Sequence, residues 1–422
     1  MQYALRGRLY SVDPDNWKLF FGGLLEVPMG FSREKIDIAF DSLKRNDIDL
    51  WIIAGQESAT NTEPALDVIS DSEFIGLTAL MFSKDRKARV VCTPIDANGY
   101  AITGVFDEVR PFPVSFQETV AEMISEICPG KIALDFSEEN PSADGLSVGT
   151  YNLLMEAFEN AGFSGEVISA EPVIADVRGI KTSDEIEKIR NACRETQVIF
   201  DKAKDVIKAG VNCQDIYAFF QEEVERNGFG YSWPSSADPG VTAGAGCPGG
   251  HVGAPDWVIR KGDLVNIDFG ITIDGLSSDI QRMYYVLDDG ETDAPEDLKE
   301  AFYAVRDGIK LAAEALKPGV TGNEVDSVAR DYIVSKGYPS WNAALGHQLG
   351  KVAHDGGAIL GPRMPRYDKP ELIDTPLSLN MVFTLEPGVP TRAGRLGIEE
   401  DVRVTENGAE FLLEPQQELY LV

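Results

Sequence analysis

The stretch Leu264-Val-Asn-Ile-Asp268-Phe-Gly-Ile is apolar enough for a buried strand, yet it ends in a carboxylate. A charge in such a place is expensive unless it is paired or bound to a cation. The anomaly recurs. Asp279 stands beyond Asp274-Gly275, a dipeptide that favours a hairpin turn. An antiparallel hairpin brings two such residues side by side, where they repel unless a cation holds them. The alternative stays open at this point: Asp268 simply ends a strand, and Asp279 pairs with Arg282. Glu386 closes the apolar run Met381-Val-Phe-Thr-Leu385, and Pro387-Gly388 turns the chain beside it. Glu399-Glu400-Asp401 interrupts an otherwise alternating strand, whereas a solvated face would space its acids by two. The sequence thus places acids repeatedly at the ends of apolar strands, where each needs a partner or a cation.

Composition restricts the partners. With 38 Lys+Arg against 69 Asp+Glu, the net charge is −31. Such a field repels phosphate backbones and anionic lipid, so neither nucleic acid nor a membrane surface is expected as a partner. Most of the acidity reads as surface solubility. No apolar run approaches the ~20 residues of a membrane helix. The charged N-terminal residues are followed by no apolar core, so no signal peptide is expected. Cysteines 92, 128, 193, 213 and 247 form no Cys-x-x-Cys pair, which fits reduced thiols in a cytoplasm.

Strand and helix signals alternate through the first part of the 422 residues. Ser32 caps a helix reaching Lys44, and Leu50–Ala54 reads as a buried strand. Leu77–Phe82 and Ala88–Cys92 flank a polar turn as a hairpin. Helices are expected over 116–127 and 147–161, with a strand at Lys131–Asp135 between them. Val177–Lys181 is short and basic, and Thr182 or Ser183 then caps a long helix to about Ala209. A second helix covers Gln214–Asn227, and 231–255 reads as loop. Strands follow at Leu264–Ile273 and Ile280–Leu287, and helices at 294–316 and 321–336. Strands return at Met381–Leu385, Glu400–Thr405 and Phe411–Leu413. The boundary falls near 172–182. We expect an α/β domain with a mixed sheet over 1–175 and an α+β domain over 176–422.

Only three histidines occur, at 251, 347 and 354. His347 and His354 lie in one Gly-rich segment. Four Asp/Glu plus one imidazole suit Mn²⁺, Co²⁺, Fe²⁺ or Zn²⁺ better than a thiolate site does. Four carboxylates exceed the need of one catalytic ion and match a two-metal site.

In order and spacing, Asp268, Asp279, Gly346-His347, Glu386-Pro-Gly388 and Glu399-Glu-Asp401 resemble a known metallopeptidase family. It comprises aminopeptidase P, prolidase and methionine aminopeptidase, with the "pita-bread" fold that creatinase shares. The motif-bearing resemblance covers about residues 182–422. Residues 1–175 more weakly resemble the N-terminal domain of creatinase, prolidase and aminopeptidase P.

The resemblance implies that Asp268, Asp279, His347, Glu386 and Glu399 ligate two divalent ions, Mn²⁺ foremost, with Asp279 and Glu399 bridging. It implies that His251 and His354 donate hydrogen bonds to substrate and oxyanion. Glu386 would pass a proton from a metal-bridging hydroxide to the leaving nitrogen. The expected substrates are short peptides, such as Xaa-Pro dipeptides or N-termini, and the expected assembly is a homodimer.

Departures touch the substrate shell. Where relatives carry another histidine this chain has Ala343. Where they carry arginine it has Gly397, with Arg392 or Arg395 as replacements. Leu276 and Gln281 also depart from the family pattern. Two alternatives remain: a non-peptidase hydrolase or lyase of a small amide or modified amino acid, and a catalytically dead peptide-binding module. Tyr231, Trp233 and Trp341 are either pocket walls or core.

Overall fold

A computed structural model of the protein describes residues 2–5, 8–11, 30–58, 63–138, 140–249 and 253–422. His251 falls outside these residues. The chain divides into two compact units, one of 1–136 with 144–170, the other of 137–143 with 171–422. Among the described residues no helix is long and apolar enough to cross a membrane.

The first unit is built on a six-stranded mixed sheet. Its order is Glu108–Pro111, Lys87–Cys92, Thr78–Ser83, Leu50–Gly55, Lys131–Leu134, Glu166–Ser169. The central strand Leu50–Gly55 runs antiparallel to Thr78–Ser83 and parallel to Lys131–Leu134. Trp51, Ile52 and Ile53 are fully buried, as the unbroken apolar run requires. Helices Arg33–Arg45, Phe116–Ile127 and Val148–Asn160 start at Ser32, Ser115 and Ser147, each accepting a first-turn N–H on its hydroxyl. The Trp51 indole donates to Asp135 at 2.6 Å. Burial pushes both Asp135 and its neighbour Glu63 upward, Glu63 to about 7.

The second unit explains why its strands are apolar. Two helix pairs serve two separate cores. Ser183–Ala203 and Cys213–Asn227 pack into one core, which also takes Val265, Ile267, Phe269, Ile280 and Tyr284. Glu296–Ala315 and Gly322–Ser335 pack into the other, which takes Leu264, Met283, Tyr285, Phe383, Leu385 and Val402. Odd and even positions of one strand thus point into different cores. On strands buried on both faces, a charge needs a partner. Capping boxes at Thr182/Glu185, Asn212/Asp215 and Thr321/Glu324 start three of the four helices.

Five local expectations need correction. The long helix stops at Ala203, because Val206 and Ile207 both donate back to the Ala203 carbonyl and turn the chain. The strand expected at Phe411–Leu413 runs instead over Gly408–Phe411, and the basic stretch before the long helix overlaps the end of another, Glu171–Gly179. Arg178 and Lys181 there grip buried Asp355 at 2.5 and 3.1 Å. The loop over 231–255 contains a strand, Gly240–Ala243, paired with Leu264–Phe269. The expected strand 264–273 is broken at Gly270, where a Cβ would come 2.1 Å from the Ser278 carbonyl. Beyond that break, Ile271–Ile273 leaves the main sheet and pairs with Leu276–Ser277 and Gly230–Tyr231.

Arg282 does not serve Asp279. It is fully buried and forms two hydrogen bonds to buried Glu400, at 3.0 and 3.1 Å. Removing one partner of such a pair strands the other charge. We expect Arg282→Met to cost about 3–5 kcal/mol, with Arg282→Met/Glu400→Leu recovering most of it. Chemical denaturation of the three proteins checks this, and equal midpoints for single and double variants would refute it.

Candidate metal centre

The hairpin sets Asp268 directly across from Gln281, so Asp279 lies two residues from the position opposite Asp268. Asn266 and Asp268 share the face of Leu264. Asp279 sits just before Ile280–Tyr285, and its backbone N–H donates to Asp401 Oδ2 at 3.0 Å. His347 is locked to the strand Val382–Leu385. Its N–H donates to Thr384 Oγ1 at 3.2 Å, and its carbonyl accepts from Thr384 N–H at 3.0 Å. Gly346 is obligatory beside it, because a Cβ would stand 1.8 Å from the Thr384 carbonyl. Glu386 follows the same strand, and its N–H donates to the Leu345 carbonyl at 2.7 Å. Glu399 is tied to the hairpin by its N–H on the Gln281 carbonyl, at 3.2 Å.

These ties bring the predicted residues together. One ligand atom each from Asp279, His347 and Glu399 lie within 4.8 Å of one another. His347 Nε2 is 3.7 Å from both Asp279 Oδ2 and Glu386 Oε1. Asp268 Oδ1 is buried without a hydrogen-bond partner. His354 is exposed, and its ring stacks on that of His347 with centroids 4.2 Å apart.

Electrostatics single out the same group. Burial, then the charges of Asp268, Asp401 and Glu386, pushes Asp279 well above the usual carboxylate range. Burial, then Asp279 and Glu386, does the same to Glu399. Burial raises Glu386 to about 8, with Asp268 adding to the shift and Arg395 opposing it. Burial raises Asp268 to about 6 against the pull of Arg395. His347 is held neutral, down at about 3, by burial and by His354. Four crowded carboxylates and a neutral imidazole form a donor set that divalent cations fit. The ions would relieve the mutual repulsion and partner the orphaned Asp268 oxygen.

The surrounding residues divide into support and scaffold. Gln281 Nε2 donates to Glu399 Oε2 at 2.8 Å and more weakly to Glu386 Oε2 at 3.5 Å. Asp401 accepts from the Cys193 thiol as well as from Asp279 N–H, and burial raises it to about 7. Asp238, which the sequence reading missed, is fully buried and accepts from Ser232 N–H at 3.1 Å. Burial pushes it to about 8. Its only sequence signal was a charge beside Pro239 in a polar loop. Tyr231 and Trp341 are committed elsewhere. Tyr231 donates to Gln221, and Trp341 donates to the Ala344 carbonyl beneath the Arg330 guanidinium. Arg392 is spent on an exposed pair with Asp297.

The family described as Metallopeptidase family M24 matches residues 187–406. An Xaa-Pro dipeptidase of Pyrococcus furiosus is 33% identical over 268 residues, 63% of this chain and 72% of that protein. An Xaa-Pro dipeptidase of Lactobacillus helveticus is 31% identical over 285 residues, 66% of this chain and 71% of that protein. An X-Pro aminopeptidase structure from Thermotoga maritima is 25% identical, with a TM-score of 0.64. The match spans 90% of this chain and all of that one, and the pita-bread fold is common to both. With its motifs in family order and its acids converging on His347, the chain belongs to metallopeptidase family M24 and is a divalent-metal-dependent peptidase.

Proposed function

We propose that the protein hydrolyses the N-terminal peptide bond of short peptides, Xaa-Pro dipeptides foremost, at a two-metal centre. Asp268, Asp279, His347, Glu386 and Glu399 hold the ions, with Mn²⁺ as the preferred metal. The observation that carries this reading is the convergence of Asp279, His347 and Glu399 ligand atoms within 4.8 Å. A homodimer working in the cytoplasm is part of the reading, on the family resemblance alone.

When bound, the ions supply Lewis-acid polarisation of the scissile carbonyl and bring a water's pKa near neutrality. The chain's residues do the rest. Glu386 accepts the nucleophile's proton and delivers it to the leaving nitrogen. Its backbone tie to Leu345 and the Gln281 amide fix its direction. His354, exposed above the His347 ring, donates a hydrogen bond to the developing oxyanion, and His251 is its companion in the proposal.

A panel of peptides of two to five residues tests this, with and without proline in second position, using Mn²⁺-, Co²⁺- and Zn²⁺-loaded protein. The expected result is cleavage confined to the first bond, fastest for Xaa-Pro and fastest with Mn²⁺. Bound metal without cleavage of any peptide would overturn the reading in favour of a small amide substrate.

A further inference from the structure

Gln281 is one of the positions at which the chain departs from the family pattern, and the structure sets it among the predicted ligands. It is almost fully buried and stands directly across the hairpin from Asp268. Its backbone is clamped. The Gln281 carbonyl accepts from Glu399 N–H at 3.2 Å and from Arg282 Nη1 at 3.1 Å. The same Nη1 donates to the Glu399 carbonyl at 3.0 Å, so one buried guanidinium holds the backbone of both residues. The Gln281 side chain is therefore aimed from a fixed base.

It is aimed at two acids at once. Nε2 donates to Glu399 Oε2 at 2.8 Å and to Glu386 Oε2 at 3.5 Å. Among the described residues, these are the only side-chain hydrogen bonds that either carboxylate receives. An amide nitrogen carries two hydrogens, one for each acid. The far end of the amide is settled as well. Asn266 Nδ2 donates to Gln281 Oε1 at 3.4 Å and is itself anchored on the Gly397 carbonyl at 3.0 Å. That nitrogen can only donate, so it turns the Gln281 oxygen toward itself and the Gln281 nitrogen toward the acids. With Oε2 of Glu386 engaged, Oε1 is left on the side of His347, 3.7 Å from Nε2. A cation in the place of this amide would compete with divalent ions for the acids. A neutral amide orients the carboxylates and leaves their charge for the ions.

We propose that Gln281 is a positioning residue whose amide sets the rotation of the Glu386 and Glu399 carboxylates together, so that divalent ions meet a pre-set pair. The inference rests on the metal-centre reading above and deepens it. Partners that orient metal ligands in this way are worth about 10- to 100-fold in affinity.

The test uses two variants. Gln281→Met keeps the length and bulk of the side chain without its donor. Gln281→Asn keeps the amide but draws it back by one methylene, and it carries the test should Gln281→Met fail to fold. Titration calorimetry with Mn²⁺ on chelator-stripped protein is expected to show Kd raised about 10- to 100-fold in both. The visible absorption of the Co²⁺-loaded variants should shift from that of the unmodified protein, because the ligand oxygens are turned. Tyr284→Phe is the control. It removes a buried hydrogen bond on the same strand, to the Phe200 carbonyl at 2.8 Å, and should leave both Kd and the Co²⁺ spectrum unchanged. An unchanged Kd in the folded Gln281 variants would overturn the assignment. So would an equal rise in Tyr284→Phe, which would mark the effect as general loosening of the strand. Absence of Mn²⁺ binding by the unmodified protein would overturn the metal-centre reading with it. No turnover is needed, so the outcome does not depend on which peptide the protein cleaves.

Discussion

Replacing Glu386 by glutamine is expected to lower kcat by about 10²- to 10⁴-fold while leaving the fold in place. The two carboxyl oxygens of Glu386 do different work. Oε1 lies 3.7 Å from His347 Nε2, and Oε2 faces the Gln281 amide. A neutral amide cannot take a proton from the nucleophile, so the transfer step loses its acceptor. The fold should survive because the backbone N–H of Glu386, not its side chain, ties it to Leu345. Steady-state kinetics at saturating metal, with metal content measured in parallel, checks the result. Near-normal turnover would contradict the role assigned to Glu386.

The second large effect is that of the ions on stability and on its pH dependence. Burial raises Asp268 to about 6 and Glu386 to about 8, from ordinary values near 4. Their folded forms therefore hold protons more tightly than the unfolded chain does. In metal-free protein the stability they contribute is complete below about pH 4 and drains away as pH rises through 6 and 8. Metal binding has the opposite slope, because the carboxylates must be deprotonated to ligate. The gap between metal-loaded and chelator-treated protein should therefore widen from pH 5 to pH 8. At a free ion concentration of 100 Kd the gap reaches about 2.7 kcal/mol. Chelation should also abolish turnover, and added Mn²⁺ should restore it. Melting curves at the two pH values decide the matter, and parallel curves with and without chelator would refute it.

Much of this was legible in the sequence because the chain states its ends plainly. Ser32 and Thr182 mark helix starts by side-chain chemistry alone, and each caps its helix. Asp268 and Glu386 stood out because acids close apolar runs, and Glu399 because three consecutive acids interrupt an alternating strand. What stayed hidden depended on contacts between distant segments. The pairing of Arg282 with Glu400 requires two strands to be laid side by side, and local spacing pointed to Asp279 instead. The break at Gly270 is imposed by a carbonyl eight residues on, not by anything local. Asp238 reads as a loop charge until Ser232 and Gly270 turn their N–H groups toward it. Arg392 and Arg395 are alike on paper. Only the hairpin register shows that one lies over glycine while the other meets an aspartate.

The Asn266 side chain donates to the Gly397 carbonyl across 131 residues, and Asp268 and Glu399 are separated by as much. No short segment of the catalytic unit carries a complete ligand set. Divalent ions therefore cannot nucleate folding, since the long-range pairing that creates their site must come first. Their influence falls on the reverse process. They bind what is already assembled, and so they act as a brake on unfolding while leaving the rate of folding nearly untouched.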